Sequence, residues 1–134
     1  MSTDQGRTII NLAPFPIHAH YRYTDAVLFA ILPVSNRRLT RQEVTALAAL
    51  YWPPHQIENA VNIAELESAL WTASRNPEGE DSRGLWQINL DAHPQLARHN
   101  LFDPQINAYF AHEIWENAGD WSPWYNAAKE LELL

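Results

Sequence analysis

The stretch from Ile63 to Asn89 constrains the fold more than any other part of the chain. It begins with an apolar helical pattern that carries Glu67, continues with a polar loop that has no apolar residue over 74–84, and ends in Gly84-Leu85-Trp86-Gln87-Ile88. On a helical wheel of 100° per residue, five apolar residues lie within about 60° of Glu67. They are Ala60, Ile63, Ala64, Leu70 and Trp71. Glu67 therefore belongs to the apolar stripe of its helix.

Glu67 is the candidate catalytic residue of this stretch. A carboxylate packed against Ile63 and Trp71 loses hydration, which disfavours its charged form and raises its pKa. A raised pKa suits a general acid that works near neutral pH. A structural role fits the same pattern, because a glutamate at the edge of the stripe can reach water or pair with Arg75 or Arg83. The wheel alone leaves both interpretations open.

Several short motifs around Glu67 resemble those of a known family. Along the chain they are Glu67-Ser68, Asn76-Pro77, Gly84-Leu85-Trp86-Gln87-Ile88, Asp103-Pro104 and Asn107. Their order and spacing, over about Ala46 to Tyr125, are similar to the lysozyme-like family of lytic transglycosylases and goose-type lysozymes. The form found in bacteriophage lysins and tail proteins often ends with a stretch similar to Gly119-Asp120-Trp121-Ser122-Pro123-Trp124.

The resemblance implies a mainly α, lysozyme-like fold of the α+β superfamily, acting on peptidoglycan without cofactor or metal. In the family, a glutamate at the position of Glu67 protonates the oxygen of the β-1,4 bond between N-acetylmuramic acid and N-acetylglucosamine. A second carboxylate decides the next step. If it positions water, the enzyme is a muramidase. Otherwise the 6-hydroxyl group of the sugar attacks, and the enzyme is a lytic transglycosylase.

Two aspartates are candidates for the second carboxylate. Asp81 follows Glu67 by 14 residues and Asp91 follows it by 24 residues, and goose-type enzymes have aspartates at similar offsets. Each also fits a structural role, Asp81 as a solvated loop charge and Asp91 as a helix cap. The chain departs from the usual Ala-Tyr-Asn-Ala-Gly motif of transglycosylases, which is reduced to Trp124-Tyr125-Asn126-Ala127-Ala128. The subclass therefore stays open.

Five further residues match positions of the family's substrate groove. Ser68 resembles the residue that orients the catalytic glutamate, although a serine there can also bond to the preceding helical turn. Gln87 carries an amide suited to sugar hydroxyl and acetamido groups, or to the backbone of its own turn. Asn107 and Tyr125 stand at groove positions, and Trp121 either stacks on a pyranose ring or packs in the core.

Helical periodicity and capping signals predict about six or seven helices. Thr40 and Glu43 form a capping box at the start of one helix, and Pro54 stands in the first turn of the next. Asp103-Pro104 starts the helix that runs to about Asn117, and Gly119 ends it. The predicted helices are 24–32, 41–51, 54–72, 94–98, 104–117 and 122–131. Turn-forming residues between 76 and 84 predict a small β-hairpin or an irregular loop after the Glu67 helix. Trp86 is expected in the core.

A chain of 134 residues is long enough for one domain with its own core. We expect a single lysozyme-like domain over 1–134, with 1–39 as an N-terminal arm and short helix packed on it and 40–134 as the catalytic core. The net charge of −7 is uneven, because residues 1–41 carry +3 and the remainder carries −10. Such an acidic body is poorly suited to nucleic acid and is repelled by anionic wall polymers.

Several other sites are not expected. The chain has no cysteine, which excludes disulfides and thiolate zinc sites. His18 and His20 are two residues apart, but no third ligand follows at a convincing spacing, so we expect no metal site. No N-terminal stretch has the pattern of a signal peptide. The longest apolar run, Ala26 to Leu32, is too short to span a bilayer.

The expected partner is the glycan strand of peptidoglycan, with docking to a larger virion or tail assembly through residues 1–41. The expected location is a phage virion, or the host cytoplasm before release to the cell wall. One alternative is a structural virion module that keeps a glycan-binding groove without useful catalysis. Another is an enzyme with the same fold that acts on a different acetylated amino-sugar polymer, such as chitin.

Overall fold

The computed structural model describes residues 36–134 except Pro77, together with the backbone of residues 2–4 and 7–9. Strands β1 (Ser2–Asp4) and β2 (Arg7–Ile9) pair in antiparallel fashion. The predicted helix 24–32 and the pair His18 and His20 lie outside the described residues. The same is true of most of the expected N-terminal arm.

The described part of the chain is mainly helical. Its α-helices are α1 (Arg41–Ala48), α2 (Ile57–Ser68), α3 (Pro104–Ala118) and α4 (Tyr125–Glu130). A second antiparallel pair, β3 (Ser82–Arg83) and β4 (Ile88–Asn89), follows α2. The expected mainly α architecture with a small hairpin after the Glu67 helix is thus confirmed. None of the helices in the described ranges is both long and apolar enough to cross a membrane.

The expected count of six or seven helices is too high for the residues that are described, which contain four α-helices. The remaining helical segments are 3-10 turns of three to five residues, namely Pro54–Gln56, Pro94–Arg98 and Ser122–Trp124. Segments this short cannot build a ladder of i to i+4 hydrogen bonds. The expected cap at Asp91 is also wrong, because Pro94–Arg98 begins after His93 and has no side-chain cap.

Two predicted helix boundaries with strong local signals are confirmed. At the start of α1, Thr40 Oγ1 accepts from Glu43 N at 3.0 Å and Glu43 Oε1 accepts from Thr40 N at 2.8 Å. At the start of α3, the Asp103 side chain accepts from the two backbone N–H groups that follow Pro104. Gly119, with φ of 82°, ends α3 in the left-handed conformation that glycine adopts without strain.

Helix α2 ends at Ser68, four residues before its predicted end at Thr72. The next two residues, Ala69 and Leu70, have left-handed backbone with φ of 51° and 64°. This conformation turns the chain toward segment 37–39, with which the backbone of Leu70 and Thr72 forms hydrogen bonds of 2.9 Å. Tertiary pairing therefore overrides the helical pattern.

Trp71 does not lie on the helix face that carries Glu67, where it was expected. Because α2 has already ended, Trp71 forms an isolated β-bridge with Arg38, and 42% of its surface is exposed. Leu70 is buried, so the apolar character of this segment serves the packing of the turn rather than a longer helix.

An aromatic cluster forms the centre of the core. Trp52, Trp86 and Trp121 pack in series, with ring centroids 5.1 Å apart for the first pair and 5.9 Å apart for Trp52 and Trp121. Trp86 is fully buried, as expected, and its Nε1 donates to the carbonyl oxygen of Ala60 at 2.9 Å. This bond ties the Gly84–Ile88 turn to α2 and so fixes the turn beside the helix that carries Glu67.

Candidate active site

A cleft of about 360 Å³ opens beside the end of α2. Residues from α2, the hairpin, α3 and the start of α4 line it: Glu67, Glu80, Gln87, Ile88, Asn89, Ala92, His93, Ile114, Pro123, Trp124, Tyr125 and Asn126. A side depression of about 530 Å³ shares His93, Ile114 and Pro123 with this cleft. The two spaces are therefore neighbours on the surface.

Glu67 is partly buried in the cleft. Among the described residues neither Arg75 nor Arg83 pairs with it, because both arginines lie against Asp81. Burial, followed by the negative charge of Glu80, raises the pKa of Glu67 to about 7. A carboxyl group with this pKa holds a proton near neutral pH and can donate it inside the cleft.

The hairpin places the two neighbouring acids Glu80 and Asp81 on opposite sides. Side chains alternate along an extended backbone, so residues two apart share a face. Glu80 Oε1 accepts from Ser82 Oγ at 3.2 Å, and Glu80 Oε2 accepts from Asn89 Nδ2 at 2.6 Å. On the other face Arg83 holds Asp81 through two hydrogen bonds of 3.0 and 2.9 Å. Glu80 is therefore the acid that enters the cleft.

The structure brings neither predicted aspartate to Glu67. Hydrogen bonding from Arg83 lowers the pKa of Asp81, and Arg75 Nε lies 3.5 Å from the same carboxylate. Asp91 is exposed, and its Oδ2 accepts from the backbone N–H of Asp81 at 3.3 Å. Neither Asp81 nor Asp91 is among the described residues that line the cleft. Both side chains instead hold the loop and hairpin together.

Asn107 lies in the core rather than in the cleft. It is fully buried, and its Oδ1 accepts from the backbone N–H of Trp86 at 2.8 Å. Its Nδ2 donates to the carbonyl oxygens of Arg83 and Leu101, both at 2.9 Å. A Cβ atom at Gly84 would clash with Asn107 and with the Leu101 carbonyl, so this turn requires glycine there. Asn107 therefore shapes the turn and does not face a ligand.

Ser68 and Trp121 are also structural in this arrangement. Ser68 Oγ donates to the carbonyl oxygen of Ala64 at 2.9 Å and accepts from Leu70 N at 3.2 Å, so it stabilises the end of α2. Trp121 is only 3% exposed, and its Nε1 donates to Gln56 Oε1 at 3.0 Å. Its rings pack against the aromatic cluster and are not available to stack on a sugar.

Gln87 and Tyr125 do line the cleft. Gln87 Nε2 donates to the carbonyl oxygens of Ser74 and Gly84, both at 3.0 Å, which uses both amide hydrogens. The remaining group, Oε1, is an acceptor suited to hydroxyl or amide hydrogens. Tyr125 is 57% exposed, and the neighbouring Trp124 is held in place because its Nε1 donates to the Trp86 carbonyl oxygen.

Sequence reasoning missed Glu80 and several polar residues around it. Asn89, His93 and Asn126 line the cleft together with Glu80. Asn89 and His93 belong to none of the motifs quoted above, and Asn126 belongs to one but was not singled out as a site residue. The pairing of Ser82 with Asn89 is the signal that would have identified Glu80, because it sets the face on which each loop acid lies. That register is a property of the folded hairpin.

In the described part of the chain, His112, Glu113 and Glu116 form a group whose ligand atoms lie within 4.8 Å of one another. His112 Nε2 contacts Glu116 Oε2 at 3.2 Å, as i and i+4 residues on one helix do. None of the three lines the cleft around Glu67. The spacing along α3 therefore accounts for the group without any link to the candidate acid.

Comparison with known proteins adds one finding. A family model described as a lysozyme-like domain matches residues 44–126, which is more than half of the chain. The matched segment includes Glu67, the hairpin β3–β4 and every residue that lines the cleft. No curated protein and no solved structure matches the chain.

Proposed function

The chain belongs to the lysozyme-like domain family, and from this premise we propose that it cleaves the glycan strands of peptidoglycan. The bond is the β-1,4 linkage between N-acetylmuramic acid and N-acetylglucosamine, and Glu67 is the general acid. One observation carries the proposal: Glu67 lies in the cleft, partly buried, with a pKa of about 7.

The chemistry requires a proton at the leaving oxygen. A glycosidic oxygen is a poor leaving group until it is protonated, and the sugar then passes through an oxocarbenium-like transition state. Glu67 supplies this proton because its neutral form is favoured in the cleft. Gln87 and Tyr125 line the same cleft, where an acceptor oxygen and an aromatic ring can orient a sugar.

The test is the digestion of purified peptidoglycan, with soluble fragments identified by mass spectrometry. The wild type should release fragments cut at the β-1,4 bond, and Glu67→Gln should reduce the rate about 100-fold or more. Glu65→Gln is the matched control, since Glu65 lies on the same helix, is exposed and contacts Arg41 at 3.5 Å. It should keep the wild-type rate.

Three results would overturn the proposal. Equal release by the wild type and by Glu67→Gln would show that Glu67 is not the acid. A folded wild type that binds peptidoglycan but releases nothing would favour a non-catalytic binding module. Cleavage of chitin oligomers without cleavage of peptidoglycan would overturn the substrate.

A further inference from the structure

Glu80 is the one acidic side chain that shares the cleft with Glu67 among the described residues. It projects from the loop before β3, whereas Glu67 projects from α2, so two separate elements bring the carboxyl groups to one space. Hydrogen bonds from Ser82 and Asn89 restrict Glu80 on the cleft side of the hairpin. The acid is therefore positioned by the fold and not by chance rotation of a loop side chain.

The two carboxyl groups have different surroundings, as acid and base roles require. Glu67 is partly buried, and no cation in the described residues pairs with it. Glu80 is exposed to solvent, and its two oxygens accept hydrogen bonds from Ser82 and Asn89. The exposed position also gives Glu80 direct access to water.

We propose that Glu80 is the base that activates water for attack on the sugar, which makes the enzyme a hydrolase. The inference rests on the proposed cleavage of the glycan strand by Glu67. When the bond between C1 and the glycosidic oxygen breaks, that oxygen takes the proton of Glu67. The water oxygen bonds to C1, and one water proton passes to Glu80. Solvent exchange then restores the protonated Glu67 and the carboxylate of Glu80.

This assignment predicts the chemical end of the product. Attack by water leaves a reducing N-acetylmuramic acid, whereas attack by the sugar's own 6-hydroxyl group leaves a 1,6-anhydro end. Direct attack by water on the opposite face also inverts C1, so the first reducing ends should have the α configuration. Mass spectrometry distinguishes the two ends, and proton NMR before mutarotation reads the configuration.

The deciding experiment compares the wild type, Glu80→Gln and Glu78→Gln on purified peptidoglycan. Glu78 is the matched control, because it is an exposed glutamate of the same loop that does not line the cleft. We expect Glu80→Gln to lower kcat for reducing-end release about 100-fold or more with an unchanged thermal midpoint. Glu78→Gln should stay within about twofold of the wild type.

The outcomes separate this inference from the proposed function. Anhydro ends from the wild type, or reducing ends released by Glu80→Gln at the wild-type rate, would overturn the role of Glu80 while cleavage by Glu67 stands. Reducing ends that first appear in the β configuration would also overturn the role of Glu80, since direct attack by water cannot retain the configuration at C1. A wild type that releases no fragment at all would instead overturn the proposed function.

Discussion

Glu67 couples the candidate chemistry to the stability of the fold, because its pKa is raised from 4.5 to about 7. Between these values the folded chain holds a proton on Glu67 that the unfolded chain has lost, so stability falls as pH rises. The contribution of Glu67 to the free energy of unfolding is fully present below about pH 4.5 and is lost above about pH 7. Its upper limit is about 3 kcal/mol. We therefore expect Glu67→Gln to exceed the wild type in unfolding free energy by roughly 2 kcal/mol at about pH 8.

Denaturant unfolding of both proteins between about pH 4 and about pH 8 measures this difference. The informative quantity is the gap between the two curves, since other carboxyl groups titrate equally in both proteins. Glu65→Gln should follow the wild type at every pH, because Glu65 is an exposed residue of the same helix. Parallel curves for the wild type and Glu67→Gln would contradict the burial of an uncompensated carboxyl group.

At the scale of elements, local signals predicted the fold only where local interactions decide it. The capping box at Thr40 and the cap at Asp103 are made by neighbouring residues, so sequence spacing identified both. The end of α2 depends on backbone pairing of Leu70 and Thr72 with segment 37–39, more than 30 residues earlier. Periodicity carries no information about such a partner.

In the candidate site too, local spacing predicted some features, whereas others depend on tertiary pairing. The helical wheel indicated Glu67, because position on a helix face follows directly from spacing. Glu80 could not be distinguished from Asp81, because a slip of one residue in the hairpin would exchange their faces. Asn107 and Trp121 matched groove positions by residue type, but an amide serves backbone groups as well as sugars, and a tryptophan serves a core as well as a ligand.

The turn that carries Gln87 should depend strongly on Asn107. Replacing Asn107 by alanine leaves the Trp86 N–H and the carbonyl oxygens of Arg83 and Leu101 without their buried partner. We expect Asn107→Ala to lower the free energy of unfolding by about 3 to 5 kcal/mol. Denaturant unfolding measures the loss. Asn117→Ala, on the exposed end of the same helix, should change stability by less than about 0.5 kcal/mol.

A loss of less than about 1 kcal/mol in Asn107→Ala would contradict this role, because water would then be replacing all three bonds. The variant Asn107→Asp is a second test of this role. It keeps the acceptor for Trp86 but removes both donors and places a charge among carbonyl oxygens. It should therefore be no more stable than the alanine variant.

At the scale of the whole molecule, charge opposes the approach to an anionic wall. The net charge is −7, and among the described residues that line the cleft none is lysine or arginine. Raising the ionic strength from about 0.01 M to about 0.15 M shortens the Debye length from about 30 Å to about 8 Å. We expect the rate of fragment release from walls rich in anionic polymers to rise several-fold over this range, because repulsion is screened.

The matched substrate for this measurement is the same wall after its anionic polymers have been removed. Its rate should change much less with salt, because the repelling charge has been reduced while the glycan strand is unchanged. The arginines of residues 1–41 work in the opposite direction, since they would attract the wall and be weakened by salt. A rate that falls as salt rises would show that these residues govern the encounter. A rate that rises with salt only on intact walls would show that the acidic body governs the encounter.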